Sequence, residues 1–151
     1  MANIDILRKT DLFAGLSGAQ LAALVSIGET RNHAQDKVVF EEGSPGDEVF
    51  VLLDGRVQIT VEMARKTEQA PVHTVLPGSV FGEFALAASD KRSATAFGLK
   101  DCSFFVFTRE GFHKLAQKDP ALGYRVMQNL SEILVGRIIK TTRELRASLM
   151  F

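Results

Sequence analysis

The sequence predicts a mixed α and β fold: an antiparallel, jelly-roll-like β-roll over 29–107, flanked by N-terminal helices over 3–28 and C-terminal helices over 109–149, the last of them long. Three observations carry this. Between residues 29 and 107 the β-branched and aromatic residues fall in short runs broken by Gly, Pro and Asp, the pattern of strands and tight turns. On either side of that block the apolar residues recur every three or four positions, the period of a helix face. The chain has 151 residues, 46% of them hydrophobic, which suffices for one well-filled core and hardly for two. One domain spanning 1–151 is therefore expected.

Each element has its own reason. Ile4 and Leu7 give a first short helix, and Leu21, Leu24 and Val25 a second over 17–28. Ser17 is placed to cap the second, its hydroxyl accepting from an amide three residues on. Val38–Phe40, Val49–Leu53, Arg56–Val61 and Val72–Leu76 read as strands. Gly43-Ser44-Pro45-Gly46-Asp47 and Asp54-Gly55 read as turns, since Gly tolerates positive φ and Pro presets the first turn angle. Met63 to Pro71 is polar and aperiodic, and an exposed hairpin loop is expected there. Cys102 opens the apolar run Cys102-Ser103-Phe104-Phe105-Val106-Phe107; the only cysteine, it cannot form an internal disulfide and reads as a buried strand thiol. Phe112 and Leu115 mark a short helix, after which Asp119-Pro120 supplies a cap and a first-turn proline for the last one.

That last helix runs to about residue 149, with Gly123 and Gly136 tolerated and a largely apolar stripe at Leu130, Leu134, Ile138, Thr141, Leu145 and Leu149. Thirty residues of helix reach about 45 Å, more than one small roll can cover. The stripe therefore either packs on the roll alone or pairs two chains as a homodimer.

The most informative stretch is Phe81-Gly82-Glu83-Phe84-Ala85-Leu86, followed by Lys91-Arg92-Ser93-Ala94-Thr95-Ala96. A guanidinium can hold two phosphate oxygens at once, a carboxylate can accept from a sugar hydroxyl, and small residues let backbone amides approach an anion. In this order the residues resemble the phosphate-binding cassette of the cyclic nucleotide-binding domain family, which includes the bacterial catabolite activator and the kinase regulatory subunits. Its pattern reads Phe-Gly-Glu-(apolar)-Ala-(apolar), a short variable run, then Arg-(small)-Ala-(Thr or aromatic)-(apolar). Gly43, Gly46 and Gly55 also stand where that family has structural glycines. Lys91 departs from it, standing where the eukaryotic branch usually has Pro, and leaves the arginine in register.

The resemblance implies a ligand-binding set of Phe81, Gly82, Glu83, Phe84, Ala85, Arg92, Ser93 and Ala94. Within it Arg92 would grip the cyclic phosphate and Glu83 the ribose 2′-hydroxyl. It further implies that the long helix closes on the purine base, with Leu134, Arg137, Ile138 and Thr141 as candidates to face it. A hydroxyl residue after the arginine accompanies cyclic GMP in part of the family, yet Ser occurs there in cyclic AMP receptors too. Cyclic AMP is expected first, with cyclic GMP as the alternative.

Other classes fare worse. The 18 basic and 18 acidic residues balance, so no broad electrostatic footprint for nucleic acid or an anionic membrane is expected. No apolar run spans a bilayer and no secretory signal opens the chain, so a cytoplasmic location is expected. His33, His73 and His113 lack the paired spacing of the metal ligands in roll-shaped metalloenzymes, and no nucleophile triad or P-loop is present, so neither a metal, a further cofactor nor a catalytic residue is expected. The helix-turn-helix domain of the transcription-factor branch would need about 60 residues beyond this sequence, and the downstream effector is left open. A different reading remains: a β-roll interaction or dimerisation module whose pocket is vestigial.

Overall fold

The computed structural model describes residues 4–63, 68–87 and 91–150. The expected mixed architecture is present. After α1 (Ile4–Lys9) and a single 3-10 turn (Asp11–Phe13), Ser17 and Gln20 form a reciprocal capping box that starts α2 (Gly18–Ser26). The Ser17 hydroxyl accepts from Gln20 N at 3.1 Å, and Gln20 Oε1 accepts from Ser17 N at 3.0 Å. The strands follow as β1 (Glu29–His33), β2 (Val38–Phe40), β3 (Glu48–Asp54), β4 (Val57–Glu62), β5 (Gln69–Val75), β6 (Val80–Phe81), β7 (Thr95–Gly98) and β8 (Cys102–Thr108), with the one-turn helix α3 (Phe84–Ala87) between β6 and β7. Helices α4 (Arg109–Lys118) and α5 (Pro120–Leu149) close the chain.

The strands form two antiparallel four-stranded sheets, ordered β1-β8-β3-β6 and β2-β7-β4-β5. Strands β3 and β8 are apolar nearly throughout because both their faces are covered. Successive strand side chains point to opposite faces, so Phe50, Leu52, Phe104 and Val106 turn toward the second sheet and pack with Val57, Val75 and Ala96. The alternate residues Val49, Val51, Phe105 and Phe107 turn the other way, onto Leu12, Phe13, Leu24, Phe112, Leu122 and Val126 of the helical layer. Cys102 is buried, as the sequence predicts.

One expectation is corrected. Gln69, Ala70 and Pro71 belong to β5 rather than to a loop, pairing with Glu62, Val61 and Thr60 across a register shift between Ile59 and Thr60. Because β5 is the outer strand of its sheet, a proline without an N–H is admissible there. Of the expected loop, residues 64–67 lie outside the described residues, and Met63 N donates to Glu68 O at 2.9 Å beside them.

Asp119 caps α5 by accepting from Leu122 N at 3.2 Å, with Pro120 in the first turn. At Gly123 a Cβ would stand 2.6 Å from Ala116 Cβ, so glycine is what lets α4 and α5 touch. The first three turns of α5 are anchored by the buried residues Leu122, Val126 and Leu130. Asn129, also buried, donates to Leu12 O at 3.0 Å and Ala14 O at 2.8 Å, tying α5 to the N-terminal layer. Further along, the helix emerges: Ile138, Leu145 and Leu149 are 64%, 57% and 76% exposed.

Candidate functional site

Gly82 makes the turn from β6 into α3 at φ +71, a left-handed conformation that side chains beyond Cβ rarely adopt. The turn carries Glu83 inward, where it is 2% exposed and forms an ion pair with Arg137 of α5 through Oε1. Arg92, on the segment entering β7, is 8% exposed. Its Nη2 donates to Glu48 O at 2.9 Å and its Nη1 to Gly82 O at 3.4 Å, while the guanidinium carbon lies 4.2 Å above the Phe40 ring centroid. Its Nε is buried without a hydrogen-bond partner.

Two glycines make room for this guanidinium. A Cβ on Gly46 would come within 2.3 Å of Arg92 Nε, and one on Gly82 within 3.0 Å of Nη1. Gly46 needs no positive φ; it is required by close approach. Burial lowers the proton affinity of Arg92, with the negative Asp47 and Glu48 opposing that effect. Burial likewise lowers that of Arg137. Both remain cations, since a guanidinium starts far above physiological pH.

These groups border a cavity of about 380 Å³ enclosed by the cassette, β4, β5 and α5. All eight residues of the sequence-derived ligand set line it: Phe81, Gly82, Glu83, Phe84, Ala85, Arg92, Ser93 and Ala94. Ile59, Val61 and Val72 form an apolar wall opposite, with His73 beside them. From α5 come Arg137, Lys140, Thr141 and Glu144. Of the four candidates to face a base, Arg137 and Thr141 stand in this wall, Leu134 packs with the helical core, and Ile138 points to solvent.

Sequence reasoning missed His73, Lys140, Glu144 and Phe40. The spacing of Arg137, Lys140, Thr141 and Glu144, at i, i+3, i+4 and i+7, is a helix-face signal; the apolar stripe beside it drew the eye instead. His73 holds its proton less well than an ordinary histidine, chiefly through burial and then through the charges of Arg137 and Lys140. Among the described residues no three His, Cys, Asp or Glu side chains gather to hold a metal ion, and no helix is long and apolar enough to cross a membrane.

A two-sheet roll with a cassette folded over an interior cavity and a long helix laid along it is a ligand-binding regulatory domain. The chain belongs to the cyclic nucleotide-binding domain family, whose model matches residues 30–119. It is 25% identical over 139 residues to the cyclic AMP receptor protein of Thermus thermophilus, covering 92% of this chain and 62% of that one. It is 28% identical over 117 residues to cGMP-dependent protein kinase isozyme 1 of Drosophila melanogaster, covering 75% of this chain and 15% of the kinase. The chain thus spans only part of each relative. Among solved structures, a cyclic nucleotide-binding domain from Methylobacillus flagellatus superposes with a TM-score of 0.84 at 24% identity, over 96% of this chain and 81% of that one, a likeness of fold.

Proposed function

We propose that this chain is a cyclic nucleotide receptor domain, binding cyclic AMP ahead of cyclic GMP and passing the signal through α5. The observation that carries this reading is Arg92: a buried cation at the cavity floor, bonded to two carbonyl oxygens, with an orphaned Nε and, among the described residues, no carboxylate in salt-bridge range. An uncompensated buried charge is costly, and an anionic phosphate offsets it directly. Gly82, Ala85, Ser93 and Ala94 surround the same point with small side chains, and Phe81 and Phe84 border it.

Glu83 has two carboxylate oxygens. Oε1 is taken by Arg137, and we assign Oε2 to the ribose 2′-hydroxyl. Sugar and helix then share one carboxylate, so a bound ligand changes the free energy of the contact that holds α5 to the cassette. That is a population shift between helix positions, driven by the difference in ligand affinity between them. No group is assigned a catalytic part; the function is regulatory. Two of the relatives are named for cyclic AMP and cyclic GMP respectively, and Ser93 is compatible with either.

The exposed stripe of α5 fits a second copy of the chain. Leu145→Glu should leave the fold intact and convert a dimer to a monomer in sedimentation; an unchanged molecular weight dismisses pairing through this face.

Calorimetric titration with cyclic AMP and cyclic GMP, on the wild type and on Arg92→Ala, tests the receptor reading. Losing the charged, two-oxygen contact should cost on the order of 2 to 4 kcal/mol, tens to hundreds of fold in affinity. Absence of heat and of thermal stabilisation with both nucleotides would overturn it in favour of an interaction module with a vestigial pocket.

A further inference from the structure

We propose that Arg31 is a positioning residue for the phosphate site: it holds the Glu48 carboxylate away from Arg92, so that the buried guanidinium stays open to an anionic ligand. This rests on the cyclic nucleotide reading above. Strand β1 lies at the edge of the first sheet, next but one to β3, with β8 between them. Arg31 stands opposite Phe104 of β8, and Glu48, the first residue of β3, opposite Thr108. The arginine therefore reaches across β8 to its partner. Its Nη2 meets Glu48 Oε2 at 2.5 Å and Glu29 Oε1 at 2.6 Å, and its Nε donates to Glu29 Oε1 at 2.7 Å. One cation thus gathers two carboxylates.

Glu48 belongs to the phosphate site through its backbone. Its carbonyl oxygen accepts from Arg92 Nη2 at 2.9 Å, and it stands two residues after Gly46, whose missing side chain makes room for the guanidinium. Among the described residues Arg92 has no carboxylate in salt-bridge range, and its Nε has no hydrogen-bond partner. A buried cation in that condition draws any carboxylate able to reach it. Glu48 is the best placed, because its side chain springs from the residue whose carbonyl Arg92 already bonds. Its charge also acts on Arg92, ahead of that of Asp47.

Arg31 keeps the two apart. Glu48 bonds Arg31 through its side chain and Arg92 through its backbone, so the start of β3 is fixed while the carboxylate is engaged elsewhere. The bond to Glu48 is the main reason Arg31 holds its proton more firmly than an ordinary arginine; the bond to Glu29 adds to it against the effect of burial. Without Arg31, Glu48 and Glu29 would face one another with no cation between them, and like charges at close range repel. Glu48 would then turn to Arg92 and occupy the place of the phosphate. A nucleotide would have to displace that carboxylate before it could bind. The Arg31 and Glu48 side chains are 42% and 29% exposed, so solvent screening keeps the effect moderate.

The test is calorimetric titration with cyclic AMP and cyclic GMP of the wild type, Arg31→Met, Arg31→Lys and the double variant Arg31→Met with Glu48→Gln. Arg31→Met should weaken both nucleotides about three- to tenfold and by the same factor, because the two share the phosphate. Arg31→Lys, which keeps a cation beside Glu48, should recover most of that loss. Adding Glu48→Gln to Arg31→Met should restore the affinity, since a neutral amide no longer competes for the guanidinium. Restoration is the deciding result: a merely structural loss at Arg31 would persist when its partner is altered as well. Wild-type affinity in Arg31→Met overturns the proposal, as does a loss confined to one nucleotide or a double variant as weak as Arg31→Met. If the wild type binds neither nucleotide, the receptor reading fails and the proposal falls with it.

Discussion

At the cassette end of the cavity the charged groups are locked in: Glu83 is 2% and Arg92 8% exposed, one paired to a helix and the other lying across an aromatic ring and two carbonyl oxygens. At the outer end Lys140, Thr141 and Glu144 all stand exposed on a helix that is leaving the body of the protein. The difference separates two kinds of position. On the proposed reading, the phosphate and ribose common to every cyclic nucleotide meet groups fixed by packing that tolerates little change. The exposed groups at the outer end sit where substitution costs the fold little.

The sharpest way to break this contrast is to crowd the locked end without touching its charges. In Gly46→Val a Cβ must occupy space 2.3 Å from Arg92 Nε, so the guanidinium leaves both carbonyl oxygens. Calorimetry should then show cyclic AMP affinity falling as far as in Arg92→Ala, on the order of 2 to 4 kcal/mol. Gly18→Ala, with nothing within 4 Å of its added Cβ, should bind like the wild type.

A smaller effect is expected where the two ends meet. Glu83→Gln and Arg137→Gln, singly and together, define a double-mutant cycle in thermal unfolding. The Arg137 side chain is 41% exposed, so solvent screens the pair and a coupling of about 1 kcal/mol is expected. Independent effects of the two substitutions would mean that α5 is not held to the cassette by charge.

The smallest effect concerns acidity at the outer end. His73 has a lowered affinity for its proton, through burial first and then Arg137 and Lys140, whereas in the unfolded chain it titrates near 6.5. Just below pH 6.5 the unfolded chain binds more protons than the folded one, so folding stability must fall as the solution is acidified through that range. Thermal melts at pH 5.5 and 7.5 should differ less in His73→Gln than in the wild type. Equal differences would remove His73 from the charge balance of this end.

The same contrast governs how much could be read from sequence. The cassette was legible in full because its chemistry is local: Gly82, Glu83 and Arg92 are close in sequence, and all eight expected residues meet at one cavity. The caps at Ser17 and Asp119 were legible for the same reason. The helix wall was legible only at Arg137 and Thr141. Val135, Ile138 and Ile139 are exposed apolar residues on α5, so hydrophobicity does not identify the inner face, and the expectation included Leu134 and Ile138 but not the cavity-lining Lys140 and Glu144. Nor could spacing reveal that Gly46 is needed for closeness to Arg92, since the two are 46 positions apart and brought together only by the roll.

Asn129 gives α5 a fulcrum. Its two bonds to Leu12 O and Ala14 O pin the helix to the N-terminal layer, and from there to Leu149 the helix runs about 30 Å further. A tilt of about 10° at that point sweeps the tip through about 5 Å, the length of one helical turn. Arg137 stands about 12 Å along that length, so on the proposed reading a shift of about 2 Å at its pairing with Glu83 corresponds to about 5 Å at the tip.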